Sequence, residues 1–203
     1  MAKNQYEGYQ YIDLDNLYTY KNSTVLINKQ NILDPNSAKN NEHLHVSKRL
    51  ADLYIQPILV YSTDDIQKIH KYLFQDVYSW VGQYRRVNIS KSGNPFMSIQ
   101  SFDSAEEYIN DLLNTYNQKA NTKEDIIRSL AKILDSLNFF HPFREGNGRT
   151  QREVIRVLAL SKGYRAQIRV SDDDIIYNTY MDGTVYGDLP KLENLFELIL
   201  EKI

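Results

Sequence analysis

Cysteine is absent from the 203 residues. That excludes disulfide staples, thiolate nucleophiles and cysteine-ligated zinc, and it fits a reducing compartment. No run approaches the roughly 18 apolar residues a membrane-spanning helix needs, so no membrane partner is expected. Charge of one sign is not in excess: 24 Lys and Arg stand against 26 Asp and Glu, with no long block of like charges. The electrostatic footprint of a protein that grips nucleic acid directly is therefore missing. Met1 to Tyr20 mixes polar and aromatic residues without an apolar centre, which argues against a signal peptide. These absences point to a globular protein working in the cytoplasm.

What is present is 42% apolar and 25% charged residues, a length that suits one domain, and 16 tyrosines. Residues 1–36 are rich in Tyr and Asn and end in the turn signals Asp34, Pro35 and Asn36, so they are expected to form an irregular arm. The remainder, 37–203, is expected to be a single domain. Its apolar spacing is mostly helical. A first helix is expected over about Ser37–Tyr54, with Leu44, Leu50 and Leu53 toward the core. A second opens at Ser62 or Thr63 and carries Ile66, Ile69, Leu73 and Val77 on one face. Ser104 with Glu107 resembles a capping box for a third, with Tyr108, Ile109, Leu112 and Leu113. Thr122 with Asp125 starts a fourth, whose apolar face is Ile126, Leu130, Ile133, Leu137 and Phe140. Pro142 ends it. Further helices are expected over Thr150–Lys162, from Asp172–Asp174 onward, and from Pro190 to the terminus. Between Arg85 and Ile99 the period falls to two around Val87 and Ile89, with a turn at Ser92 to Pro95, which predicts one short β-hairpin.

The segment that carries chemistry is His141-Pro-Phe-Arg-Glu-Gly-Asn-Gly-Arg-Thr-Gln-Arg152, a loop pinned between two helices. Gly146 and Gly148 flank Asn147, and glycine takes positive φ without steric cost, so the backbone can turn its N–H groups inward as an anion nest. A helix N-terminus follows at once and adds free donors and partial positive charge. Arg149 and Arg152, three apart, share a helical face and can fork phosphate oxygens. Glu145 is the one carboxylate in the loop, enough for Mg²⁺ when phosphates supply other ligands. His141, at the end of the preceding helix, has an ordinary pKa of about 6.5 and can take a proton near neutrality. Each feature has a bland reading: a packed histidine, a plain turn, two solvated arginines. A plain turn, however, has no use for a nest, a carboxylate, two forks and a base together. A metal-dependent hydrolase is disfavoured because His43 and His45 are distant in sequence and point apart on a helix.

This stretch resembles the Fic motif, His-x-Phe-x-(Asp/Glu)-Gly-Asn-Gly-Arg-x-x-Arg, at every fixed position. The similarity extends to Trp80-Val-Gly-Gln-Tyr-Arg85 and to the hairpin Asn88-Ile-Ser-Lys-Ser-Gly93, and with the surrounding helices spans roughly residues 15–203. The resemblance implies the all-α Fic fold, a bundle of about seven or eight helices with one small β-hairpin flap. It implies protein adenylyltransferase activity: AMP moves from ATP, with Mg²⁺, to a Ser, Thr or Tyr hydroxyl of a target protein. His141 would be the general base and Glu145 the Mg²⁺ ligand. Arg144, Gly146, Asn147, Gly148, Arg149 and Arg152 would bind nucleotide, and Phe143 would anchor the loop in the core. The flap at Ser90, Lys91, Ser92 and Gly93 would dock the target segment, and adenine would lie along Ser171–Gly187. A same-fold phosphotransferase, another nucleotidyltransferase, or a peptide-binding module without turnover are the alternatives, although the related Doc kinases depart from the Gly-Asn-Gly-Arg kept here. Many relatives also carry an inhibitory helix with Ser or Thr, three residues, then Glu and Gly or Asn. Here Glu193-Asn194 is preceded by Leu189 and Ser37 is followed by Asn41 at the critical spacing. The resemblance then implies a separate small antitoxin that supplies the helix, and a toxin when the chain acts alone.

Overall fold

A computed structural model of the chain describes residues 17–91, 93–168 and 174–203. The expectations placed on residues 1–16, on Ser92 and on residues 169–173 lie outside the described residues. Among those described, seven α-helices and two short two-stranded ribbons are formed. The all-α reading with a small hairpin therefore holds, with one ribbon more than the sequence pattern indicated.

Helix α1 spans Pro35–Ile55, and the Asp34 side chain caps it by accepting from the Ser37 N–H at 2.8 Å. It begins two residues before the expected Ser37 because proline, preset in φ and lacking an N–H, suits the first helical turn. Leu44, expected in the core, is 71% exposed, and Val46 is buried instead. Helix α2 spans Thr63–Phe74 behind the Ser62/Asp65 capping box. Val77 lies beyond its end yet is buried as expected. Strands β1 (Ser90–Lys91) and β2 (Asn94–Pro95) pair antiparallel, Ser90 opposite Pro95 and Lys91 opposite Asn94. Helix α3 spans Phe102–Lys119 and starts from Ser101, after a single 3-10 turn. The expected start at Ser104 is thus inside the helix, and Tyr108 is half exposed rather than in the core.

Helix α4 spans Lys123–Phe140 with the Thr122/Asp125 capping box formed. Every residue of its expected apolar face is buried, together with Ile127, Ala131 and Leu134. It is the centre of the bundle, packing against α3, α5, α6 and α7 once those are in place: α5 Asn147–Ser161, α6 Asp174–Tyr186 and α7 Leu189–Ile199. Helix α5 begins three residues before the expected Thr150. The last helix stops at Ile199, and Glu201–Lys202 (β4) turns back to pair with Tyr164–Arg165 (β3), the ribbon that two-residue strands could not announce.

The described part of the arm is fastened to the body. Lys29 donates its N–H to the Val77 carbonyl at 2.8 Å, the Tyr18 hydroxyl accepts from the Arg86 N–H at 3.1 Å, and Tyr18 and Val25 are buried. No helix among the described residues is long and apolar enough to cross a membrane. This packing separates two leucines that spacing alone treats alike. Leu137→Ala should cost about 2–5 kcal/mol in chemical denaturation, by lost transfer energy and a cavity, while Leu44→Ala should stay within about 0.5 kcal/mol.

Candidate active site

The loop between α4 and α5 takes its shape from Pro142. The proline disfavours right-handed helical geometry in the residue before it; His141 does not take the extended geometry this usually gives but sits in the left-handed region at φ 45°, ψ 58°, its carbonyl held by Arg85. Its N–H still reaches the Leu137 carbonyl at 3.0 Å, so the helix ends cleanly on it. Asn147 then closes the loop on itself. Its Oδ1 accepts from the Phe143 N–H at 2.9 Å and its Nδ2 donates to the Phe143 carbonyl at 2.6 Å. The Asn147 side chain is thereby spent on holding the turn. Gly146, at φ +82°, caps α5, and a Cβ there would overlap the Phe74 ring, so both backbone and packing demand glycine. Gly148 differs from expectation: it lies in the first turn of α5 without positive φ, and a Cβ on it would stand 3.3 Å from an Arg152 Nη. The anion-binding feature is thus one left-handed glycine and a helix N-terminus rather than a nest with two such glycines. The opening N–H groups of α5 have no partner within the helix and point toward the loop.

His70, which sequence reasoning passed over, sits beneath this loop. Its ring is stacked on Phe143, centroids 3.8 Å apart and planes within 5°. Its Nδ1 accepts from the Gly82 N–H at 2.9 Å, so its Nε2 carries the proton and donates to the Glu145 carbonyl at 3.0 Å. One buried neutral imidazole therefore joins the Trp80–Arg85 segment to the backbone that bears Glu145. Arg85 makes a second such tie. It is buried; its Nε donates to the His141 carbonyl at 2.9 Å, one Nη to Val87 at 2.7 Å, and the other to the Met97 carbonyl beside the hairpin. The sequence signal for Arg85 was its place in the family-like Trp80–Arg85 run, but apart from Val87 the partners named here are 12 or more residues away.

His141 is itself only 4% exposed. Its Nδ1 lies 3.0 Å from the Asn138 carbonyl, which can only accept, so Nδ1 holds the proton and Nε2 keeps its lone pair. The Phe96 ring, from the segment after β2, is stacked on it at 3.6 Å. Burial pushes the His141 pKa down to about 3, with Lys91 and Arg85 acting in the same direction. The imidazole is thus shaped as a base but held neutral and covered.

A cavity of about 600 Å³ opens here, lined by His141, Glu145, Gly146, Asn147, Gly148, Arg149 and Arg152. The expected site residues are therefore brought together, with three exceptions. Arg144 is buried and is not on the cavity wall, and of the described flap residues only Lys91 reaches it, while Ser90 and Gly93 do not. Burial lowers the Lys91 pKa, Glu145 partly offsetting this. The other walls are α6, through Tyr177, Tyr180, Met181, Thr184 and Val185, and the arm with α1, through residues such as Thr24, Lys39 and His43. The expected nucleoside segment, 171–187, thus faces the cavity in its described part. His43, dismissed on sequence distance, is beside it.

Arg149 lies over the Phe74 ring at 4.7 Å, with one Nη 3.4 Å from Glu145 and the other 2.6 Å from Glu42. Glu145 accepts from the Gly146 N–H at 2.8 Å. No group of three or more His, Asp or Glu suited to a metal exists among the described residues. Glu145 remains one carboxylate beside an anion site, which fits Mg²⁺ provided that phosphate oxygens and water complete its shell.

Residues 60–159 match the Fic/DOC family. Over 105 residues, 51% of this chain, the sequence is 37% identical to protein adenylyltransferase VbhT of Bartonella schoenbuchensis, of which it spans 22%. It is 31% identical over 147 residues to the probable protein adenylyltransferase y4lH of Sinorhizobium fredii, covering 71% of this chain and 76% of that one. The crystal structure of the BepC effector of Bartonella tribocorum with bound AMPPNP has a TM-score of 0.80 and 22% identity, covering 93% and 98% of the two chains. At that identity the likeness is one of fold.

Two buried imidazoles have a consequence for stability. Burial also lowers His70 to about 3, with the Glu145 carbonyl contact opposing and Arg149 adding to the shift. The unfolded chain binds these protons near pH 6.5 and the folded chain near 3, so each histidine stabilises fully above 6.5 and progressively less below it. Unfolding free energies from urea titrations should therefore rise between pH 4.5 and 6.5, by up to about 1.4 kcal/mol per pH unit for each histidine. A flat profile over that window would contradict the burial of both rings.

Proposed function

The chain belongs to the Fic/DOC family, and on that premise we propose that it is a protein adenylyltransferase, moving AMP from Mg-ATP to a Ser, Thr or Tyr hydroxyl of a target protein. The relatives named above as adenylyltransferases support the activity. The observation that carries the chemistry is the unprotonated Nε2 of His141 at the head of a cavity that also holds the α5 N-terminus, Arg149 and Arg152.

The target hydroxyl gives its proton to His141 Nε2 as its oxygen bonds to the α-phosphorus. The bond from that phosphorus to the bridging oxygen breaks, and pyrophosphate leaves. Gly146, Gly148 and the opening N–H groups of α5 bind the phosphates, and Asn147 holds the turn that aims them. Arg149 stabilises charge as it shifts to the leaving group, and Arg152 fixes the γ-phosphate. Glu145 would hold Mg²⁺, which when bound would supply neutralisation of polyphosphate charge. Arg144, being buried, acts from behind the loop rather than on nucleotide.

The flap at Ser90, Lys91, Ser92 and Gly93 takes the target as an added strand. Stacking of Phe96 on His141 links docking to chemistry: the target must move the ring aside, and water and phosphate charge then raise the imidazole pKa toward a useful value. The chain works in the cytoplasm as a toxin restrained by a small antitoxin helix. Support comes from Glu193, which does not line the cavity, and from Arg152, which forms no ion pair with a carboxylate among the described residues. The unit that acts is 37–203, with the arm of 1–36 supplying a wall through residues such as Thr24 and Asn28.

Incubation with bacterial lysate, Mg²⁺ and ATP labelled on either the α- or the γ-phosphate tests this. Protein should take up the α-label only, and His141→Ala should lower the rate about 10²- to 10⁴-fold. Uptake of γ-label would mean phosphoryl transfer instead. Separately, Phe96→Ala should raise the His141 pKa from about 3 toward 6.5 in an NMR titration of the imidazole, since burial sets the shift.

A further inference from the structure

Glu42 lies on α1, outside the segment 60–159 that matches the family. We propose that Glu42 is a positioning residue for AMP transfer, holding the Arg149 guanidinium in its working orientation through a buried ion pair. The inference rests on the adenylyltransferase reading above.

The pair is short, 2.6 Å, and its ends are only 12% and 21% exposed. Exposed pairs of this kind do little, because water competes and long side chains lose freedom. A pair this buried is different: breaking it leaves a charge without a partner, so it constrains geometry strongly. Glu42 is itself oriented. Its second carboxylate oxygen accepts from the Tyr78 hydroxyl, and the Tyr78 ring is buried and stacked on Trp80 at 4.7 Å. Without Glu42, the long Arg149 side chain would keep only the Phe74 face and a 3.4 Å contact with Glu145. That second contact is the weaker one, and Glu145 is also the carboxylate proposed for Mg²⁺.

Charge separates positioning from binding. Glu42 lines the cavity proposed to take a triphosphate, where a carboxylate repels the bound nucleotide. Its presence therefore does not serve ground-state affinity. Its contribution is made where charge moves onto the leaving group, and misplacing a stabilising group there by about 1 Å can cost on the order of 10²-fold.

The test measures transfer of α-labelled AMP to a fixed amount of lysate protein as ATP is varied, for wild type, Glu42→Gln, Arg149→Ala and the double variant. Binding of a non-hydrolysable ATP analogue with Mg²⁺ is measured alongside. Glu42→Gln should lower the rate at saturating ATP about 10- to 100-fold, with KM for ATP and analogue affinity unchanged or improved. In the Arg149→Ala background it should cause no further loss, because Glu42 acts through that arginine. If Glu42→Gln does not fold, Glu42→Asp keeps the charge and shortens the reach, and the same loss is expected of it. A folded variant with full saturating rate, a loss confined to KM and analogue affinity, or losses that multiply with Arg149→Ala would each overturn the proposal while wild-type transfer upholds the enzyme. Wild type that transfers no α-label would overturn the adenylyltransferase reading, and this inference with it.

Discussion

The site depends on the turn at His141, which the pre-proline clash keeps out of right-handed helical geometry and which its own hydrogen bonds hold in the left-handed region. It ends α4 on a left-handed His141 and sends the chain sideways for a few residues. The Asn147 side chain then ties both backbone groups of Phe143, so that α5 starts at Asn147 with its first N–H groups, which have no partner within the helix, at the loop. Remove the turn and the base, the anion site and the two arginines no longer belong to one cavity. The cost is a non-glycine residue at positive φ, of order 1–3 kcal/mol, and it persists because the surroundings fix it. Arg85 binds the His141 carbonyl, and His70 binds the Glu145 carbonyl while stacking on Phe143.

The electrostatics of the site set cationic walls around a neutral base. Four cationic side chains among the described residues, Lys39, Lys91, Arg149 and Arg152, line a cavity whose base is kept neutral by burial. Glu42 and Glu145 balance Arg149 in the meantime. A polyphosphate entering such a place meets donors already aimed, so little reorganisation is needed when charge develops. The imidazole, in contrast, waits under Phe96. The ring that covers the base comes from the segment directly after the short ribbon β1–β2.

The loop was legible in the sequence because its chemistry is local: glycine, proline, asparagine and the arginine spacing all act within 12 residues. The α4 face was legible too, since Ile126 to Phe140 keep a helical period over the whole element. What the sequence hid is held by distant partners. Glu42 and Arg149 are over a hundred positions apart, and nothing in the pattern of α1 marks Glu42 among its polar neighbours. His70 looked like one polar residue on an amphipathic helix, yet it is buried under the loop. Leu44 was misplaced because α1 has a weak apolar period, and packing chose Val46 and Leu53 for the interior. The β3–β4 ribbon escaped because two-residue strands carry no alternation.

The proposed transfer requires one order of phosphates along the cavity, with the innermost phosphorus beside the imidazole. A crystal structure with a non-hydrolysable ATP analogue and Mg²⁺ measures that order directly. The α-phosphate is expected nearest His141 Nε2, with the β- and γ-phosphates running over the α5 N-terminus toward Arg149 and Arg152. A γ-phosphate seated at His141, with the nucleoside on the arginine side, would contradict it.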